Sequence, residues 1–121
     1  MAHILLIEDD ELLRPLLARC LESAGHVVTQ AATGRAGVRA FQAELADLVV
    51  TDIVMPDQEG IATIMMLHRD HPEVPLIAIS GGGVNTSLYL DLAKKLGASC
   101  TLAKPFTPDD LLRAIGALNI A

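Results

Sequence analysis

Aromatic residues, runs of basic residues and long apolar stretches are all scarce in this chain. Its 121 residues include no Trp, one Tyr and two Phe, so few side chains could stack on nucleic-acid bases. The formal net charge is -6, whereas a nucleic-acid surface needs a clustered basic face. No apolar stretch approaches the roughly 20 residues that a membrane-spanning helix requires. We therefore expect a protein that binds neither nucleic acid nor a membrane.

Cysteine is also scarce, and its placement argues against a zinc site. Cys20 and Cys100 are too far apart in sequence to form a zinc motif, and nothing near Met1 resembles a signal peptide. We expect reduced thiols and a cytoplasmic location. Because we find no linker, repeat or low-complexity tract, we expect a single domain over residues 1–121 that carries no output domain of its own.

Short apolar runs alternate with helical patterns five times along the chain. Three runs are unbroken and each stops at a polar or acidic residue: 4–7, 48–51 and 76–79. Two weaker runs, 27–31 and 99–103, carry polar residues that suit the edges of a sheet. This alternation predicts an α/β fold of the flavodoxin-like type, a doubly wound five-stranded parallel sheet in the order 2-1-3-4-5 with five helices.

Polar side chains follow four of the five predicted strands at the point where each strand ends. Glu8 and Asp9 follow the first strand and Asp52 the third. Ser80 and Lys104 follow the fourth and the fifth. The carboxyl ends of parallel strands share the sheet edge at which ligands of open α/β sheets bind. Clustered carboxylates beside an ammonium fit Mg²⁺, or Mn²⁺, and phosphoryl transfer to an aspartate.

Each of these residues also has a simpler explanation when it is taken alone. The acidic residues 8–11 could cap the first helix and favour its positive end. Asp52 could be a turn former, and Ser80 could belong to a turn before the glycine triplet 81–83. A single Lys104 could be an ordinary solvated lysine. The joint arrangement at four strand ends is what favours a phosphoryl site.

Four motifs in the same order resemble the receiver domain of two-component response regulators, the CheY-like family, over essentially the whole chain. They are Ile-Glu-Asp-Asp at 7–10, Asp-Ile-Val-Met-Pro-Asp at 52–57 with Gly60, Ile-Ser-Gly at 79–81 and Lys-Pro-Phe at 104–106. Any one of them is weak evidence. The ordered set at this spacing is specific to that family.

The resemblance assigns roles to individual residues. It implies that Asp52 is the phosphoacceptor. It also implies that Mg²⁺ is bound by the side chains of Glu8, Asp9 and Asp52 and by the Val54 backbone carbonyl. Ser80 would be the switch hydroxyl, and Lys104 would stabilise the phosphoryl group before a cis peptide to Pro105. Thr101 stands where receivers commonly place an aromatic residue, so we expect the loop at 81–83 to carry more of the switching rearrangement.

The resemblance also implies partners and a chemical role. The donor would be a sensor histidine kinase or a histidine phosphotransfer protein, and the downstream protein target is not identified by the sequence. The chain would assist only its own phosphorylation and dephosphorylation, so we do not expect an enzyme acting on other substrates. Because Val54 and Gly82 occupy the two positions that tune dephosphorylation in the family, and neither can orient a water, we expect a long-lived phosphoryl group.

Several uses of such a domain stay open at this stage. An effector would change its affinity for a target after phosphorylation, whereas a shuttle would return the phosphoryl group to a second histidine protein. A phosphorylation-independent docking module, a pseudo-receiver, is the alternative from a different class, and the complete acidic cluster with Lys104 argues against it. A small metal-dependent phosphatase is less favoured, because the short loops offer no substrate pocket.

Overall fold

Strands and helices alternate throughout the described part of the chain. The computed structural model describes residues 2–53, 59–81 and 86–118. The strands are β1 (His3–Ile7), β2 (Val27–Ala31), β3 (Leu48–Asp52), β4 (Leu76–Gly81) and β5 (Cys100–Lys104). The helices are α1 (Leu13–Ser23), α2 (Gly34–Ala43), α3 (Glu59–Asp70), α4 (Thr86–Lys95) and α5 (Pro108–Ala117). Among these helices, none combines the length and the apolar character that crossing a membrane demands.

All five strands form one parallel sheet in the order β2-β1-β3-β4-β5. This order confirms the prediction, including the placement of the two polar strands at the edges. At one edge, Val27 of β2 is 58% exposed, whereas every residue of β3 is buried. The central strands are therefore apolar because helices cover both of their faces, and the edge strands tolerate polar residues because one side meets solvent.

The sheet separates two apolar layers. Successive side chains of a strand point to opposite faces, so Ile4 and Leu6 pack with the residues of α1 and α5. Leu5 and Ile7 pack on the other face with residues of α2, α3 and α4, including Phe41. Apart from Phe41 the buried side chains of both layers are aliphatic, as the composition predicts.

The ends of the helices follow ordinary capping chemistry. Pro15 is the third residue of α1, where the missing N–H would have had no intrahelical acceptor. Thr107 and Asp110 form a capping box at the start of α5, with Pro108 as the first helical residue. After α4 the chain turns at Gly97, whose φ of +128° favours glycine.

Candidate functional site

The carboxyl ends of four strands bring the predicted site residues to one edge of the sheet. Glu8 and Asp9 directly follow β1, and Asp52 is the last residue of β3. Ser80 is the penultimate residue of β4, and Lys104 is the last residue of β5. The parallel register of the neighbouring strands is what aligns these ends. Residues that are up to 96 positions apart in sequence therefore form one site.

Three carboxylates meet at this edge. One oxygen from each of Glu8, Asp9 and Asp52 lies within 4.8 Å of the other two. Glu8 is fully buried, Asp52 is 3% exposed and Asp9 is half-buried. Negative charges this close repel one another, so the cluster is stable only if it keeps a proton, has a cationic neighbour or binds a metal ion.

Lys104 is the cationic neighbour of two of these carboxylates. Its Nζ lies 3.0 Å from Asp52 Oδ2 and 3.0 Å from Glu8 Oε1. It donates a hydrogen bond to Asp52 Oδ2, whereas its contact with Glu8 Oε1 is an ion pair without hydrogen-bond geometry. Burial alone would lower the pKa of Lys104, but its contacts with the two carboxylates outweigh burial and raise that pKa. The ammonium therefore stays charged at neutral pH.

Glu8 is a buried acid whose pKa is raised by its surroundings. Burial raises the pKa of Glu8 from its ordinary value of 4.5 to about 7, and the charge of Asp52 adds to the rise. The Asp10 backbone N–H donates a hydrogen bond to Glu8 Oε2 over 3.1 Å. This bond and the positive charge of Lys104 lower the pKa of Glu8 and so offset part of the rise. Without a bound cation, the Glu8 carboxyl therefore keeps its proton to a higher pH than an ordinary glutamate does.

The donor set of this cluster suits a hard divalent cation. Its ligand atoms are all carboxylate oxygens, and Glu8 Oε1 is a buried oxygen that accepts no hydrogen bond from the described residues. Three carboxylates facing one ammonium leave an excess of negative charge. Mg²⁺ binds through one or two carboxylates, keeps several waters and engages phosphate oxygens. The side chains that are present therefore fit Mg²⁺, or Mn²⁺.

The other predicted positions are placed as follows. Ser80 is fully buried, and its Oγ has no hydrogen-bond partner within the described ranges. Thr101 lies half-buried on β5, and the peptide bond between Lys104 and Pro105 is cis. The predictions that concern Val54, Gly82 and Gly83 fall outside the described residues.

Asp10 and Arg14 both fix the backbone that follows β1, and sequence reasoning assigned no role to Arg14. Asp10 Oδ1 accepts hydrogen bonds from the backbone N–H groups of Leu13 and Leu12, and these bonds lower the pKa of Asp10. Asp10 thus satisfies backbone N–H groups at the turn that leads into α1, close to the helix-capping role that the simpler explanation gives the acidic residues, whereas Glu8 faces the site. Arg14 Nη1 donates to the backbone carbonyl of Glu8 over 2.9 Å. The available signal was an arginine in the first turn of a helix that follows the acidic residues.

Comparison with protein families gives one match over nearly the whole chain. The family model described as the response regulator receiver domain matches residues 4–116. The transcriptional regulatory protein TcrA of Mycobacterium tuberculosis is 34% identical over 117 residues, covering 97% of this chain and 46% of TcrA. The transcription factor SKN7 of Saccharomyces cerevisiae is 35% identical over 109 residues, covering 90% of this chain and 17% of SKN7. The chain thus spans less than half of the length of either relative.

Solved structures include close matches in both shape and length. The receiver domain of NtrX from Brucella abortus is 30% identical with a TM-score of 0.85, and the match covers 98% of this chain and 99% of that one. A response regulator receiver domain protein from Clostridium thermocellum is 31% identical with a TM-score of 0.87, and the match covers 97% and 93%. TM-scores of this size over nearly the full length of both chains show that this chain and the two solved receiver domains have the same fold.

Proposed function

Because the chain belongs to the family of response regulator receiver domains, we propose that it accepts a phosphoryl group on Asp52 from a phosphohistidine donor. The donor is a sensor histidine kinase or a histidine phosphotransfer protein. The observation that carries the proposal is the position of the Asp52 carboxylate, which lies 3.0 Å from the Lys104 ammonium and belongs to a cluster with two further carboxylates. A carboxylate that can accept the phosphoryl group, an ammonium and oxygens suited to a metal ion therefore lie within a few ångströms of one another.

The proposed transfer uses few groups of the protein. An oxygen of the Asp52 carboxylate attacks phosphorus, the bond between phosphorus and the donor imidazole nitrogen breaks, and its electron pair stays on that nitrogen. Lys104 Nζ, next to Asp52 Oδ2, lies where it stabilises the negative charge of the arriving phosphoryl oxygens. Mg²⁺, when bound by Glu8, Asp9 and Asp52, supplies further charge neutralisation.

Ser80 links acceptance of the phosphoryl group to a change of shape. Its buried Oγ makes no hydrogen bond within the described ranges, so a bond to a phosphoryl oxygen on Asp52 would be a net gain for that hydroxyl. Only the phosphorylated protein would form this bond, and it would therefore favour a conformation in which the end of β4 has moved toward Asp52. We propose that this change alters binding to a partner protein, or prepares the domain to pass the group to a second histidine protein.

The beginning of α1 offers a surface on which the donor could dock. Leu12 is 86% exposed and Leu16 is 54% exposed, and the two residues are one helical turn apart. They follow Glu8 and Asp9 closely in sequence, at the start of the helix that comes after the acidic residues. We propose that these two leucines contact an apolar helix face of the donor.

Intact mass after incubation with acetyl phosphate and Mg²⁺ tests the acceptance of a phosphoryl group. We expect one phosphoryl adduct on the wild type, none on Asp52→Asn and none with a chelator. Asp47→Asn is the matched control, because Asp47 is an exposed aspartate at the amino-terminal ends of the strands, away from the site. There it accepts a hydrogen bond from the backbone N–H of His3. An adduct that persists in Asp52→Asn would contradict the proposal.

A second measurement separates this function from the docking alternative. The wild type and Asp52→Asn are each mixed with a phosphorylated histidine phosphotransfer protein, and transfer of the label is followed over time. Transfer to the wild type alone supports acceptance on Asp52. If neither protein takes the label from this donor or from acetyl phosphate, the phosphorylation-independent docking module becomes the better description.

A further inference from the structure

Arg14 has an unusually constrained side chain for an arginine at the start of a helix. It is only 13% exposed, and both terminal nitrogens of its guanidinium are engaged. Nη1 donates to the backbone carbonyl of Glu8 over 2.9 Å, and Nη2 donates to the carboxylate of Glu11. Its backbone N–H donates to the carbonyl of Asp10, so the same residue is fixed at both ends.

The carbonyl that Arg14 holds belongs to the peptide group between Glu8 and Asp9. The other side of Glu8 is already fixed, because its backbone N–H donates to the carbonyl of Ala31 at the end of β2 over 3.0 Å. The orientation of the Glu8–Asp9 peptide determines where both acidic side chains begin. From this geometry we infer that Arg14 is a positioning residue that orients Glu8 and Asp9 for binding a divalent cation, an inference that rests on the proposed function.

The positive charge of Arg14 allows a positioning role to be distinguished from simple electrostatics, because the two predict opposite changes in Mg²⁺ affinity when Arg14 is replaced. A guanidinium close to a cation site repels the cation, so electrostatics alone predicts tighter metal binding when Arg14 is replaced by a neutral residue. A positioning role predicts the opposite result, because the peptide between the two acidic residues is then free to turn. Groups that hold metal ligands in place typically contribute about 10–100-fold to metal affinity when they are removed.

The test is isothermal titration of the metal-free protein with Mg²⁺ alone at pH 8, where Glu8 is largely ionised. We expect Arg14→Gln to bind Mg²⁺ about tenfold more weakly than the wild type. Arg14→Lys keeps the charge and one donor but not the fork, and we expect a smaller loss. Arg113→Gln is the matched control: Arg113 also pairs with an acid three residues away and donates to a backbone carbonyl, but it is 76% exposed on α5.

Thermal unfolding of each metal-free variant separates positioning from a general loss of structure. The inference requires weaker Mg²⁺ binding by Arg14→Gln in protein that is still folded, with affinity unchanged in Arg113→Gln. Wild-type affinity in Arg14→Gln, or tighter binding, overturns the inference and leaves the proposed function intact. If Arg14→Gln fails to fold, wild-type affinity in Arg14→Lys overturns it instead. A wild type that does not bind Mg²⁺ overturns the proposed function, and the positioning role with it.

Discussion

The perturbed acid Glu8 predicts how the stability of the metal-free protein changes with pH. Below about pH 4.5 its carboxyl is protonated in both the folded and the unfolded chain. As the pH rises from about 4.5 to about 7, the unfolded chain loses this proton while the folded protein keeps it, since the folded pKa is about 7. The stability that protonated Glu8 supports is therefore present below pH 4.5 and is lost as the pH rises through 7.

The size of this loss follows from the pKa values. A rise from 4.5 to about 7, at about 1.4 kcal/mol for each pH unit, corresponds to about 3 kcal/mol. Glu8→Gln keeps the shape of a protonated carboxyl and cannot ionise. We therefore expect the difference in unfolding free energy between Glu8→Gln and the wild type to grow by up to about 3 kcal/mol in favour of the variant between pH 4.5 and 8.

The assay is urea denaturation with a chelator present, followed by far-ultraviolet circular dichroism because the chain has no Trp. Glu22→Gln serves as the control, since Glu22 is exposed on α1 and its substitution should shift stability by less than about 0.5 kcal/mol. A difference between Glu8→Gln and the wild type that stays constant across this pH range would refute the reasoning. Added Mg²⁺ should stabilise the wild type more at pH 8 than at pH 5.

Three further substitutions test separate parts of the structure. Lys104→Met removes the cation between two buried carboxylates. Urea denaturation of the metal-free protein at pH 8 should show an unfolding free energy about 3 kcal/mol below that of the wild type. An unchanged unfolding free energy would contradict a stabilising role of the two ion pairs. Leu12→Asp should slow transfer from a phosphohistidine protein about tenfold while labelling by acetyl phosphate stays normal. The control Leu45→Asp alters an equally apolar residue, 53% exposed beyond α2, and should leave both rates unchanged. Gly60→Ala would press a Cβ against the backbone carbonyl oxygen of Ile53 and should lower the free energy of unfolding by about 2 kcal/mol, measured by thermal unfolding, whereas Gly116→Ala has open space and should not destabilise.

The fold could be predicted because the composition of each strand indicates how far that strand is buried. Every residue of the run before Asp52 is buried, as expected for a parallel strand that is covered on both faces. The polar residues Thr29 and Gln30 marked β2 as an edge for the same reason. With the two polar strands at the edges, the known flavodoxin-like order 2-1-3-4-5 fitted the pattern, and the prediction of the strand order came from that known arrangement.

The site could be predicted only as a group of residues at one edge. Nothing in the run of acidic residues 8–11 shows that Glu8 is fully buried, that Asp9 is half-buried and that Asp10 accepts hydrogen bonds from the turn before α1. These differences depend on where the backbone turns after β1. The bond between Arg14 and the Glu8 carbonyl also depends on that turn, because it joins a side chain to a backbone group, and sequence spacing carries no information about a carbonyl's direction.

The position of β1 and β3 in the sheet determines how long the site stays ordered. Glu8 continues β1 and Asp52 ends β3, the two neighbouring central strands whose side chains divide between both apolar layers. Neither strand can separate from the sheet without exposing both layers, so these segments should open only when the whole molecule unfolds. Asp52 and the strand that leads into Glu8 are therefore held in place for as long as the protein is folded.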